Sequence, residues 1–255
     1  MPARLYVYAI PHVVQPEEMA GGTVVVVDVL RAATTICHAL EAGATEVVPF
    51  AEVEQARAAA ASLPGEVVLG GEREGLPIDG FHLGNSPCEY TPQSVGGKAV
   101  VFTTTNGTQA LHHARLADRV LLGAFVNATA VVEQLLGQEQ VHILCSGTDG
   151  QYSEDDVLLA GLLVERLERT GGLNYSQNAQ AATAREYWLS SFPQPKALGA
   201  EPLEPELLLP KLRQSAGGRN LLAVGLEDDL TDAAQIDRVQ CVPVYDSASG
   251  RIRLA

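Results

Sequence analysis

The chain has 255 residues, 46% of them hydrophobic and 19% charged, with a formal net charge of -14 and a pI ≈ 4.8. That length and composition suit one large α/β domain, or two small lobes, and exclude a disordered chain. The acidic balance argues against a nucleic-acid or anionic-membrane partner, so an anionic substrate needs a local positive site built from arginine, a helix N-terminus or a metal.

The four cysteines, Cys37, Cys88, Cys145 and Cys241, form no C-x-x-C pair, which argues against a zinc ribbon or a thioredoxin motif. Cys37 and Cys145 sit in apolar stretches and read as buried thiols, so a reducing, cytoplasmic setting is expected. Met1–Ile10 has no apolar core of a signal peptide, and Val24–Leu30, interrupted by Asp28, is too short to span a bilayer.

In chain order, Val24–Val27 reads as a buried strand and Arg31–Ala42 as a helix stopped by Gly43. Glu46–Val48 is a strand, Glu52–Ser62 an alanine-rich helix and Glu66–Leu69 a third strand. From Glu72 to Gln93 no period is visible, and this Gly-, Pro- and Asn-rich stretch is expected to be a long ordered loop of functional kind. Strands follow at Ala99–Thr104, Arg119–Leu122 and Val141–Cys145, and helices at Thr108–Ala117, Ala128–Leu136 and Ser153–Thr170. Beyond Gly172, where a division into two lobes would fall, the pattern is weaker. Gln177–Ser190, Glu204–Gln214, Asn220–Leu226 and Asp229–Ala234 look helical, Cys241–Tyr245 is a candidate last strand, and Pro193, Pro195 and Pro202 mark connections. The alternation predicts an α/β fold, a mostly parallel mixed sheet between helical layers, with ligands beyond the carboxyl ends of the strands.

Five polar clusters stand at such ends. In the first, Asp28 can bind a metal, attack phosphorus or simply cap a helix, and Arg31 can clamp an anion or pair on the surface. Gly70-Gly71-Glu72-Arg73 offers close backbone approach and two opposite charges, or a tight turn. Gly84-Asn85-Ser86-Pro87 is a rigid turn with donors. Thr103-Thr104-Thr105-Asn106-Gly107-Thr108 exceeds what helix capping needs and suits an oxyanion cradle. The fifth runs from Cys145-Ser146-Gly147 to Ser153-Glu154-Asp155-Asp156, where three acids either complement a helix dipole or hold magnesium.

Several phosphatase chemistries are absent. Leu30 stands where an Asp-x-Asp motif needs its second acid, and there is no Cys-x5-Arg loop, Arg-His-Gly, G-x-S-x-G, Walker loop or G-x-G-x-x-G. The histidines are scattered, with His112-His113 in mid-helix and no zinc-ligand spacing.

Taken in order, VVVVDVLRAATT, LGGEREGLPIDGFHLGNSPCEYTP, VVFTTTNGTQAL, GAFVNATAV and ILCSGTDGQYS with the following acids and Ala160-Gly161 resemble the 2-phosphosulfolactate phosphatase family. Weaker likeness runs through GRNLLAVGLEDDL to VPVY. The resemblance implies a three-layer α/β/α fold and Mg2+-dependent hydrolysis of 2-phospho-3-sulfolactate to 3-sulfolactate and phosphate, a step of coenzyme M biosynthesis. It implies catalytic roles for Asp28, Arg31, Glu72 and Arg73, and metal ligation by Asp28, Glu72 and Asp156. It implies substrate binding by Asn85, Ser86, Thr104, Thr105, Asn106, Gly107, Thr108, Asn127, Ser146 and Gly147. The family's Glu-Asp is Asp155-Asp156 here, one methylene shorter at the first position. Another 2-phospho-hydroxyacid as substrate, and an anion-binding module without turnover, are the competing readings. A homodimer is expected from size and class.

Overall fold

A computed structural model describes residues 3–170, 172–192 and 203–255. The connections marked by Pro193, Pro195 and Pro202 lie outside the described residues. The strands are β1 (Ala3–Tyr8), β2 (Thr23–Val27), β3 (Glu46–Phe50), β4 (Val67–Arg73), β5 (Leu76–Pro77), β6 (Ala99–Thr103), β7 (Arg119–Gly123), β8 (Gln140–Cys145), β9 (Tyr175–Gln177), β10 (Pro243–Asp246) and β11 (Arg251–Leu254). The helices are α1 (Ala32–Glu41), α2 (Val53–Ser62), α3 (Pro92–Val95), α4 (Gly107–His113), α5 (Ala128–Leu135), α6 (Glu154–Thr170), α7 (Ala179–Ser191), α8 (Pro205–Gln214), α9 (Ala216–Ala223) and α10 (Glu227–Ala233).

The fold is α/β, with one mostly parallel mixed sheet in the order β5-β4-β6-β3-β11-β10-β7-β2-β8-β1-β9. Two parallel blocks, β4-β6-β3 and β7-β2-β8-β1-β9, are joined through the antiparallel hairpin β10–β11. Strands and helices from beyond Gly172 belong to the same sheet and core as those before it: β9 pairs with β1, and Leu208, Leu212, Leu221 and Leu230 pack with Leu158 and Leu162.

Strand periodicity explains the core. Along β2, Val25 and Val27 face α5, α6 and the C-terminal helices, while Val24 and Val26 face α1 and α4. From the other block, Val47, Val68, Val100 and Phe102 join that second cluster, and Val48 and Val101 turn to Ala56 of α2. Helices α1 and α4 are therefore covered by residues of both blocks. The first block meets the hairpin at the narrow β11–β3 junction, held by the single register pair Ile252–Val47 and by Glu46, which accepts hydrogen bonds from Arg251 and Arg253. Residues at the carboxyl ends of β2, β4, β6 and β8 meet at one cleft.

Two sequence readings change. The β4 strand runs on to Arg73, because Gly70 and Gly71 stay in register with Phe102 and Thr103 of β6. A Cβ on Gly70 would lie 2.1 Å from the Tyr90 hydroxyl and one on Gly71 2.0 Å from the Thr103 carbonyl oxygen, so these glycines admit neighbouring protein rather than a ligand. The stretch after Glu72, expected as one long ordered loop, is broken by short elements. It holds β5, a 3-10 turn at Pro87–Glu89 and α3, tied by Gly71 N–H to the Gly84 carbonyl (3.0 Å) and by the Tyr90 hydroxyl to the same oxygen (2.8 Å). Ala160-Gly161 is a helix-packing contact: a Cβ at Gly161 would lie 2.1 Å from the Ala184 carbonyl oxygen on α7. Among the described residues, no helix is long and apolar enough to cross a membrane.

Candidate active site

The loops after β2, β4 and β6 surround a cleft of ≈ 350 Å³, and α9 closes one wall with Gly217, Asn220 and Leu221. Asp28 follows β2 directly and is 7% exposed at the floor. One oxygen, Oδ1, accepts the Ala32 N–H at 3.0 Å, as a helix-capping carboxylate does. The other, Oδ2, is left without a hydrogen-bond donor among the described residues. It rests against Gly107, where a Cβ would lie 2.8 Å away. Asp28 thus caps α1 with one oxygen and leaves the other without a donor.

Arg31 is buried and its guanidinium is held firmly. Nη1 donates to Asp229 Oδ2 at 2.7 Å and Nη2 to the Gly75 carbonyl at 3.0 Å. Glu72 accepts the Thr105 N–H (2.9 Å) and hydroxyl (3.1 Å) on Oε1 and the Gly75 N–H (2.8 Å) on Oε2. It lines the cleft while fixing two of its loops. Thr104, Thr105 and Asn106 line the opposite rim, and Asn106 Oδ1 accepts the Asp149 N–H at 3.2 Å. Asn85 lines the cleft as well.

Among the described residues, three buried side-chain polar atoms have no hydrogen-bond partner: Asn85 Oδ1, Ser146 Oγ and His38 Nε2. Two of the three belong to the expected site. A buried unpaired oxygen costs stability, about 1–3 kcal/mol, unless a ligand or water satisfies it, which marks Asn85 and Ser146 as groups awaiting a partner. Ser146 follows β8, with its amide donating to the Val27 carbonyl at 2.8 Å, one residue before Asp28.

The remaining expected residues lie elsewhere or act indirectly. Arg73 is one residue on from Glu72 in a strand and so points to the opposite face. Its guanidinium is engaged by the carbonyls of Glu72 (2.7 Å) and Ala51 and by Thr103 Oγ1 (2.8 Å), so it braces β4 and does not clamp an anion in the cleft. Asn127 is fully buried. Its amide accepts the Ala124 N–H and donates to the carbonyls of Leu122 and Cys241, so it organises the turn after β7. Thr108 Oγ1 makes a long contact (3.4 Å) with the Phe50 carbonyl, away from the cleft lining. Ser86 donates to Asp229 Oδ1 at 2.5 Å, behind the wall. Gly147 donates its N–H to Asp156 Oδ2 at 2.9 Å, and Asp156 Oδ1 accepts the Val29 N–H at 2.9 Å. Asp156 therefore pins the loops after β2 and β8 together.

The acids are crowded. Burial, reinforced by the charges of Asp155 and Glu72, pushes the Asp28 carboxyl up to about 7 against the opposing pull of the Ala32 amide and Arg31. Burial likewise raises Asp155, and burial with Asp155 and Asp28 beside it holds Asp156 well above the usual carboxylate range.

The donor chemistry can be tested against magnesium. Lining side chains include Asp28, Glu72, Glu74 and Asp149 against one cation, Arg31, itself paired with Asp229. Such a cleft would repel a phosphoester unless a cation intervened. No group of three or more His, Cys, Asp or Glu side chains is arranged to hold a metal among the described residues. The set Asp28, Glu72 and Asp156 is therefore not assembled as a cage, because Asp156 and Glu72 direct their oxygens at backbone amides. Asp28 Oδ2 and Asn85 Oδ1 remain, which fits the water-rich magnesium sites that use one or two protein oxygens plus substrate phosphate.

Sequence reasoning missed Asp229, Asn220, Gly217 and the Glu74–Gly75 turn. Only the LEDDL string at Leu226–Leu230 hinted at the first.

Comparison with known proteins places these features in a family. The family model described as 2-phosphosulpholactate phosphatase matches residues 8–248. A relative from Symbiobacterium thermophilum is 39% identical over 231 residues, covering 90% of this chain and 93% of its own. One from a Synechococcus species is 38% identical over 259 residues (99% and 100%), and one from Deinococcus radiodurans 38% over 245 (93% and 95%). Each carries the name probable 2-phosphosulfolactate phosphatase. The chain belongs to the 2-phosphosulfolactate phosphatase family, a family of phosphoric monoester hydrolases.

Proposed function

We propose that this protein is a magnesium-dependent phosphatase that hydrolyses 2-phospho-3-sulfolactate to 3-sulfolactate and phosphate, the step that serves coenzyme M biosynthesis. The observation that carries the reading is that the donor-free Oδ2 of buried Asp28 and the unpaired Oδ1 of Asn85 belong to side chains lining one acidic cleft. Asp28 and Asn85 would hold the ion, with water and a phosphate oxygen completing its shell. Bound magnesium would neutralise phosphoryl charge and draw the ester into a cleft whose own side chains are mainly acidic.

The chain's own residues then have separable tasks. Arg31 directs its remaining N–H groups at the anion with its orientation already fixed, so little entropy is lost on binding. Glu72 holds Thr105 and the Gly75 turn at set positions, and phosphoryl transfer depends chiefly on such positioning. Gly107 leaves room for Asp28 Oδ2. The apolar wall of Leu30 and Leu221 limits water around the ester. Cytoplasmic residence and a homodimeric state belong to the same proposal, the second checked by light scattering.

The test is phosphate release from racemic 2-phosphosulfolactate by purified protein, in Mg2+ and in EDTA. Release only with magnesium supports the proposal. Equal release in EDTA removes the metal from it, and faster turnover of the analogue with carboxylate in place of sulfonate removes the sulfonate.

A further inference from the structure

Asp229 is the acid through which the C-terminal part of the chain reaches the cleft. It lies in the first turn of α10, where the helix dipole favours a negative charge. It is 1% exposed and does not line the cleft, so it touches no substrate. Both oxygens are engaged: Oδ2 receives Arg31 Nη1 at 2.7 Å across 198 residues of sequence, and Oδ1 receives Ser86 Oγ at 2.5 Å across 143. The bonds continue in one chain. Arg31 Nη2 donates to the Gly75 carbonyl, the Gly75 N–H donates to Glu72, and Glu72 accepts from Thr105. The turn before Pro87, the loop after β2, the β4–β5 turn and the loop after β6 are thereby linked, with Asp229 joining Ser86 to Arg31.

From this geometry we infer that Asp229 is a positioning residue: it acts through Arg31, aiming the guanidinium into the cleft, and contributes nothing to anion binding by its own charge. The inference rests on the proposed anion site and does not depend on which phosphoester is the substrate. Its content is a sign. Charge alone predicts that removing a carboxylate next to Arg31 strengthens anion binding. Positioning predicts the opposite, because a guanidinium without its partner leaves the productive orientation, and a misplacement of about 1 Å costs roughly 100-fold in a site of this kind.

The experiment is titration of the folded protein with inorganic phosphate in saturating Mg2+, following Asp229→Asn, Arg31→Met and the double variant. Asp229→Asn should weaken phosphate binding about tenfold or more, and should do so hardly at all in the Arg31→Met background, as required of a residue that works through another. Equal or tighter binding by Asp229→Asn, or an undiminished loss in the Arg31→Met background, overturns the inference. Should Asp229→Asn leave Arg31 unpaired and the protein unfolded, Ser86→Ala supplies the same test, since it frees only one Asp229 oxygen. A severalfold loss that vanishes with Arg31→Met supports the inference, and a loss that persists overturns it. A family substrate that is not turned over by the native protein would sink the proposed activity and leave these phosphate titrations readable. With turnover in hand, Asp229→Asn should raise KM more than it lowers kcat.

Discussion

Adding one methyl group at Gly107 should separate activity from stability. In Gly107→Ala the new Cβ would sit 2.8 Å from Asp28 Oδ2 and 2.9 Å from Ala32 Cβ. Relief to an ordinary contact needs roughly 0.5–1 Å of movement. Ala32 is held in the first turn of α1, so the Asp28 carboxylate, whose Oδ2 has no donor to hold it, gives way. Overpacking costs about 1–3 kcal/mol, and replacing glycine recovers about 0.4–1 kcal/mol by restricting the unfolded chain. The net loss is about 0–2.5 kcal/mol, a Tm decrease of no more than about 10 °C for a chain of this size. A shift of Asp28 by even 1 Å should cut kcat/KM about 100-fold. Thermal melting and phosphate release on the same preparation measure both. Near-native kcat/KM in a folded Gly107→Ala protein would refute the assignment of Asp28 Oδ2 to the magnesium site.

Gly161→Ala should do the reverse, because its Cβ would enter the Ala184 carbonyl far from the cleft: about 3 kcal/mol or more of stability lost, read by urea unfolding, with kcat of the folded fraction preserved. His142 is buried against Tyr8, with the rings stacked at 5.8 Å, and burial together with Arg4 lowers its pKa to about 4. The folded protein keeps it neutral where the unfolded chain takes a proton, so its contribution is present above about pH 6.5 and is lost as pH falls towards 4. The difference is of order 3 kcal/mol. Native protein should therefore lose more stability between pH 7 and pH 4.5 than His142→Gln does, and parallel profiles would contradict this. Glu46 lies at the β11–β3 junction. Burial acts to raise its pKa, but hydrogen bonds from Arg251 and Arg253 outweigh that and lower it. Because both arginines are partly exposed, Glu46→Gln should cost only about 1 kcal/mol, and less in high salt.

The fold class and the strand-end clusters were legible in the sequence because each core strand is a compact β-branched run followed by a polar string and a helix. Val24–Val27 leading into Asp28 is the clearest. What the sequence hid follows from physics that a linear reading does not carry. The Ala3–Tyr8 strand alternates with Arg4 and Tyr6 and gives no compact apolar run, yet it is buried between β8 and β9. Gly217-Gly218 suggests a turn, but it opens α9, where Ser215 caps the Gly218 amide at 3.0 Å. In the site, Asp28, Arg31, Glu72, Asn85 and Thr104–Asn106 converge as their clusters suggested. Arg73 does not, because strand pleating sends it away from Glu72, and Asn127 does not, because its amide completes a turn. Asp229 was invisible as Arg31's partner, because 198 residues separate them and only the folded sheet brings them together.

Turnover by Asp28→Asn in saturating magnesium bears most directly on the role of Asp28. The variant keeps the size of the side chain and an oxygen able to cap the Ala32 amide, and it relieves a crowded set of buried acids, so it should fold at least as well as the native protein. Magnesium-dependent phosphate release should fall about 10³-fold. A folded Asp28→Asn protein within tenfold of native activity would contradict this and move the chemistry to another side chain of the cleft.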